Sequence, residues 1–181
     1  MSSGRVVVDE PAWVHYGQLY VESREDYSDL GECFGGQQNG LCGAAVDGKL
    51  FLITGLHTGK VGFTVEVHDD APPVDDQWEE IVEASFKPEG DAVLVTWGGE
   101  QRWRLGLASI DHRVRYCGWG MDAGHQADSG SNDDDAPVDR YLLQFWPAAP
   151  TPDRVVKQTG AYAAYWHAVA SPQPPPTAQV G

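Results

Sequence analysis

Two acid-rich segments carry the groups best suited to binding a cation or a basic partner. The first is an inter-strand loop with four carboxylates: Asp69, Asp70, Asp75 and Asp76. Calcium takes about six to eight oxygen ligands, and acidic loops at the end of a β-sandwich supply such ligands, so this loop is a candidate calcium site. It lacks EF-hand spacing, and a solvated loop that keeps the protein soluble is the favoured interpretation.

The second acidic segment lies within residues 122–139, where glycines and serines separate the acids. It contains Asp128, Asp133, Asp134 and Asp135, without EF-hand spacing or a closing Glu. Such composition predicts a long, mobile surface loop. Because negative surface attracts a basic partner, these four residues are candidates for partner binding.

Four of the eight arginines lie within fourteen residues: Arg102, Arg104, Arg113 and Arg115. In each of two predicted strands the arginines alternate with apolar residues, and the short link 108–111 predicts a hairpin. Burying both apolar faces would place all four guanidinium groups on one outer face. Neutralisation by Glu66 and Glu83 is the favoured interpretation, and the alternative is an anion site for carboxylate or phosphate.

The residue types that usually carry catalysis form no recognisable motif. Cys33 and Cys42 have eight residues between them and no second close pair, which is a weak zinc pattern. The three cysteines are expected to be reduced, although a Cys33–Cys42 disulfide stays open. The six histidines are scattered, and a Cys–His pair could still assemble in space. Residues 55–61 have too few residues between their glycines for a phosphate loop. We therefore expect no cofactor, calcium excepted, and favour a protein that is not an enzyme.

Charge, length and composition limit the possible partners, the localisation and the number of domains. The 181 residues include 12 basic and 27 acidic ones, a net charge of −15, which argues against nucleic acid and anionic membranes as partners. The first ten residues lack the apolar run of a signal peptide, which predicts a cytoplasmic protein. With 41% apolar residues, the sequence predicts one core and a single domain over residues 1–170.

The elements that must position these groups are mostly strands. Alternating apolar and polar residues mark eight segments: 14–21, 50–54, 61–67, 81–86, 92–97, 102–107, 112–119 and 141–146. Glycine and proline turns separate them, which predicts a mainly β protein, an antiparallel β-sandwich. Trp97, Trp103 and Trp146 are expected in the core. Trp13, Trp78 and Trp119 lie at strand ends, where exposed rings would also suit a sugar, a lower-ranked hypothesis.

One α-helix is predicted at the C-terminal end, over about residues 152–170. Thr151 can cap it, Pro152 suits its first position, and a stripe from Val155 to Val169 would pack on the sheets. Ser171-Pro172 ends it. The proline-rich residues 171–181 predict a disordered tail.

Three segments resemble the small competence protein J family. They are His15-Tyr16-Gly17-Gln18 within residues 14–21, the turn and strand 90–95, and residues 139–144. The resemblance spans residues 12–146 and omits the C-terminal helix. It implies a β-sandwich that acts by binding and inhibiting a nuclease partner, but it transfers no inhibitory residues.

These observations favour a non-enzymatic, acidic binding module of the inhibitor or immunity type with a basic protein partner. The alternative is a small-ligand binder or an enzyme whose site is built from loops at one end of the sandwich. The oligomeric state stays open.

Overall fold

The computed structural model describes residues 3–127 and 136–171. Its strands are β1 Gly4–Val14, β2 Gln18–Glu22, β3 Cys42–Gly43, β4 Lys49–Ile53, β5 Gly59–His68, β6 Glu80–Phe86, β7 Val93–Thr96, β8 Arg102–Arg104, β9 His112–Trp119, β10 Arg140–Pro147 and β11 Arg154–Lys157. Its helices are α1 Leu30–Cys33, α2 Met121–Ala127 and α3 Ala161–Ala170. No helix in these ranges is long and apolar enough to cross a membrane. The predicted tail beyond residue 171 and the acidic residues 128–135 lie outside the described residues.

The strands form two sheets. The six-stranded sheet has the order β1-β5-β10-β9-β6-β11, and the five-stranded sheet has the order β3-β4-β2-β7-β8. Neighbouring strands are antiparallel except β5 and β10, which run parallel. The mainly β fold class with a C-terminal helix is confirmed.

Both sheets contribute side chains to one hydrophobic cluster. Leu19 and Val21 of β2 and Phe63 of β5 are almost completely buried in it. The Tyr116 hydroxyl of β9 donates a hydrogen bond of 2.9 Å to the Ile53 carbonyl of β4, and so joins the sheets directly. The alternation that predicted strands therefore also sorts side chains between this cluster and the outer faces.

Three predicted elements differ from the structure. Residues 14–21 are not one strand, because the chain turns at Tyr16-Gly17 between β1 and β2. Residues 122–139 are not all loop, because they include most of α2. The predicted helix over 152–170 begins only at Ala161, and β11 takes its first part by pairing with β6.

The late start of α3 has a tertiary cause. Both carboxylate oxygens of Asp122, on α2, accept hydrogen bonds from the first backbone amides of α3, at 3.1 Å from Ala161 and 2.9 Å from Tyr162. Glu80 accepts from the amides of Thr159 and Gly160 immediately before the helix. The cap is therefore supplied by residues distant in sequence, which local patterns cannot indicate.

Candidate interaction surface

The predicted cluster of four arginines is divided between the two sheets. Arg102 and Arg104 lie on β8, which pairs with β7, whereas Arg113 and Arg115 lie on β9 between β6 and β10. The predicted hairpin is wrong because β8 forms its hairpin with the preceding strand, and the link that follows leads to the other sheet. The four arginines therefore do not share one outer face.

Arg113 and Arg115 instead surround one buried carboxylate. Glu83 Oε2 is 3.0 Å from Arg115 Nε, and Glu83 Oε1 is 3.0 Å from Arg154 Nε and 3.6 Å from Arg113 Nε. Arg115 also donates to the Pro72 carbonyl, at 2.8 Å. Glu83 thus supplies the negative charge that the sequence interpretation favoured, and these arginines hold the outer face of the six-stranded sheet together.

The predicted calcium loop between β5 and β6 shows no metal-binding arrangement of its acidic residues. Asp69, Asp70, Asp75 and Asp76 are all exposed on the loop between β5 and β6. Across the ranges 3–127 and 136–171, no group of three or more histidine, cysteine, aspartate or glutamate residues is arranged to hold a metal ion. Asp128, Asp133, Asp134 and Asp135 lie outside these ranges.

The three cysteines are free and buried. Burial raises the pKa of each thiol, Cys33, Cys42 and Cys117, to about 12. A nucleophilic cysteine needs thiolate character near neutral pH, and these thiols stay protonated there.

We therefore expect the native protein to be inert toward a thiol reagent. At pH 8, Ellman's reagent should release almost no chromophore from the folded chain and the equivalent of three thiols after unfolding in urea. Fast reaction of one thiol in the folded state would contradict this burial.

Several exposed aromatic groups lie around the turn between β1 and β2. Tyr16 has φ 58° and Gly17 φ 62°, and His15 bridges to Gln18, so the two central residues form a two-residue hairpin turn. Such turns require positive φ at both positions and strongly favour Asn-Gly. Tyr16 is the only described non-glycine residue with positive φ, and its side chain is 57% exposed.

Tyr16 contacts two other exposed rings. Its ring centroid is 4.9 Å from that of Trp97, in the β7–β8 turn, and 5.3 Å from that of His57. Trp97 lies 6.0 Å from His15, which lies 6.4 Å from Trp13. We call these five residues the aromatic cluster. It presents three exposed large rings on one surface, Trp13 and Tyr16 from the first hairpin and Trp97 from the β7–β8 turn.

A hydrogen-bonded frame holds the turn beneath this cluster. The Gly17 amide donates to the His57 carbonyl at 2.8 Å, and the Thr54 amide donates to the Gly17 carbonyl at 2.9 Å. The loop containing Thr54 and His57 is fixed in turn by the wholly buried Asp139, which accepts from the Leu56 amide at 3.0 Å. Backbone hydrogen bonds therefore fix the turn and the loop that carry Tyr16 and His57 of the aromatic cluster.

An open cavity of about 410 Å³ adjoins Trp97 on the outer face of the five-stranded sheet. Its lining includes Tyr20 and Val95, which are paired across β2 and β7, and the exposed Tyr27. Its charged residues are Glu22, Glu25, Asp26, Lys49 and Arg102. Aromatic rings and carboxylates thus line one cavity, beside the aromatic cluster.

The charges in this cavity are unequally satisfied. Lys49 and Asp26 form a nearly buried ion pair at 3.3 Å. Glu25 accepts a hydrogen bond from the Tyr27 hydroxyl at 3.1 Å. The Glu22 carboxylate accepts none from the described part of the chain, and burial raises its pKa although Lys49 and Arg102 act against the rise.

Sequence reasoning missed this surface. It placed Trp97 in the core as the end of an alternating strand, but β7 ends at Thr96 and Trp97 begins the turn, where it is 49% exposed. Trp146 is buried as predicted, and Trp103 is partly buried. The signal that could have indicated exposure is the Gly98-Gly99 pair directly after Trp97.

The structure thus defines a mainly β protein of two sheets with an aromatic and acidic surface at one hairpin turn. No family model and no curated protein matches the sequence. Among solved structures it is similar to ComJ of Bacillus subtilis, described as an inhibitor of the DNA degrading activity of NucA, with a TM-score of 0.51 and 14% identity over 81% of this chain and 99% of that chain. A second structure, described as crocagin biosynthetic gene J, matches with a TM-score of 0.49, 14% identity and the same coverage. The resemblance to the competence protein J family is confirmed at the level of the fold.

Proposed function

We propose that this chain is a non-enzymatic binding protein of the inhibitor type whose partner is a basic protein. The observation that carries the proposal is the left-handed conformation of exposed Tyr16. A bulky residue with positive φ costs about 1–2 kcal/mol, and Asn would suit the position better. Backbone strain of this kind is found most often at binding sites and active sites.

Composition and fold support the same proposal. A net charge of −15 favours a basic partner and faster encounter with it. The similar ComJ structure is described as that of an inhibitor of NucA. Aromatic side chains such as those of Trp13, Tyr16 and Trp97 are enriched among the residues that dominate binding energy. The proposal assumes a cytoplasmic setting, with which three free cysteines are compatible.

Tyr16→Asn separates binding from stability. The substitution gives the turn its favoured Asn-Gly sequence, so the melting temperature should rise by a few degrees. It also removes the exposed ring, so partner affinity should fall about 30-fold, equivalent to roughly 2 kcal/mol. Calorimetric melting and titration calorimetry with the purified partner measure the two effects.

The partner is obtained by affinity capture from the native cytosol on the immobilised wild-type chain. An electrostatically bound basic protein should be retained at low salt and depleted at moderate salt. Its enzymatic activity is then measured against increasing amounts of this chain, which should inhibit it. Tyr165→Ala is the matched control, because Tyr165 is equally exposed at 57% but lies on α3, away from the aromatic cluster. Equal capture by wild type and Tyr16→Asn, or a captured partner that is acidic, would overturn the proposal.

A further inference from the structure

The cavity beside Trp97 is large enough to admit a side chain of a partner. Its volume of about 410 Å³ lies within the range of ligand pockets, about 300–1,000 Å³. Its lining includes Trp97, which is 49% exposed, and the segment 25–28. Trp97 belongs both to this cavity and to the aromatic cluster. A partner bound to the aromatic cluster would therefore also contact the cavity, because Trp97 belongs to both.

The polar groups of the cavity favour a cation with several donors. Lys49 is already matched by Asp26 at 3.3 Å and donates to the Ser28 carbonyl at 3.2 Å. The remaining charges are Glu22, Glu25 and Arg102, which leaves one net negative charge. Glu22 is the half-buried carboxylate that accepts no hydrogen bond from the described residues, so an incoming donor would satisfy it.

We infer that this cavity binds the guanidinium group of an arginine side chain presented by the basic partner, an inference that rests on the proposed function. The guanidinium plane stacks on the exposed Trp97 ring, and its N–H groups donate to the Glu22 carboxylate. Arginine suits this pair of contacts better than lysine, because its planar fork forms parallel hydrogen bonds to a carboxylate and stacks on aromatic rings.

Arg102 carries a charge that should act on arginine binding in the opposite sense to Glu22. It lies exposed on β8, where it is paired with Val95, and it lines the same cavity. Its positive charge opposes an incoming guanidinium. Removal of the Glu22 charge should therefore weaken binding and removal of the Arg102 charge should strengthen it, whereas a purely structural role for these residues predicts no such opposite effects.

The test uses small probes that need no partner. N-acetyl-arginine amide is titrated into the full chain while the indole NMR signal of Trp97, assigned with Trp97→Phe, is followed. We expect a saturable shift with the arginine probe, and at least about tenfold weaker binding of the neutral isostere N-acetyl-citrulline amide and of N-acetyl-lysine amide. Glu22→Gln should weaken arginine binding about tenfold and Arg102→Gln should strengthen it several-fold. Asp76→Asn, which removes an exposed carboxylate elsewhere, should leave it unchanged.

The outcomes distinguish this inference from the proposed function. No saturable shift with the arginine probe in wild-type protein, or equal binding of arginine and citrulline probes, overturns the inference. Equal binding of the lysine probe overturns the assignment to arginine. If a basic partner is captured through Tyr16 but the arginine probe does not bind, the inhibitor proposal stands and the cavity assignment fails. Thermal melting of each variant confirms that it is folded.

Discussion

Glu83→Gln should lower the free energy of unfolding by about 3–5 kcal/mol. The substitution removes the negative charge between Arg113, Arg115 and Arg154. Arg115 is only 4% exposed, so its guanidinium would be left buried without a counter-ion. Breaking one half of a buried ion pair costs far more than removing an exposed pair. Urea denaturation of wild type and variant measures the difference.

The same carboxylate should make stability depend on pH. Burial by itself would raise the pKa of Glu83, but hydrogen bonds and charges from Arg154 and Arg115 hold it below the ordinary value of 4.5. Because the pKa is lower in the folded chain than in the unfolded chain, the stabilisation is present above about pH 4.5 and is lost as the pH falls toward the folded value. Glu83→Gln should flatten this part of the curve.

Asp76→Asn is the matched control for both measurements. Asp76 is an exposed carboxylate on a loop that packs over the same sheet, and its substitution should change the free energy of unfolding by less than about 0.5 kcal/mol. If Glu83→Gln costs no more than this control, the buried cluster does not stabilise the outer face of the six-stranded sheet.

Local alternation was sufficient to predict individual strands. The segment 112–119 was predicted from apolar and polar residues alone, and β9 spans His112–Trp119. Pairing was harder, because the arginine hairpin was inferred from the length of one link. The strong turn signal Gly98-Gly99 instead joins β7 to β8, and that pairing fixes Arg102 on the other sheet from Arg115. The length of a link limits which strands can pair, but it does not determine which of the possible pairs forms.

The candidate surface depends on contacts that sequence spacing does not encode. Tyr16 and Trp97 are 4.9 Å apart in space but belong to different hairpins. Tyr-Gly is not the usual sequence of a two-residue turn, so the left-handed conformation of Tyr16 could not be inferred from residue type. The start of α3 was missed for a similar reason, since its cap comes from Asp122.

The packing of α3 on the rest of the molecule should contribute strongly to the free energy of unfolding. α3 lies against the loop 37–42 at Gly40, whose amide donates to His167 Nδ1 at 2.9 Å. Asp153, just before β11, accepts from the amides of Gln38 and Asn39 in the same loop. A methyl group on Gly40 would lie 1.9 Å from the carbonyl oxygen of Trp166, which is helix backbone and cannot rotate away.

Gly40→Ala should therefore lower the free energy of unfolding by about 3 kcal/mol and separate α3 from the loop. Amide hydrogen exchange should show that α3 loses its protection while β9 and β10, in the middle of the six-stranded sheet, keep theirs. Gly99→Ala separates steric overlap from backbone strain, because Gly99 has φ 77° but no neighbour within 4 Å of an added methyl group. That variant should cost only about 1–2 kcal/mol and leave α3 protected. Equal losses in the two variants would mean that the contact at Gly40 does not hold the helix.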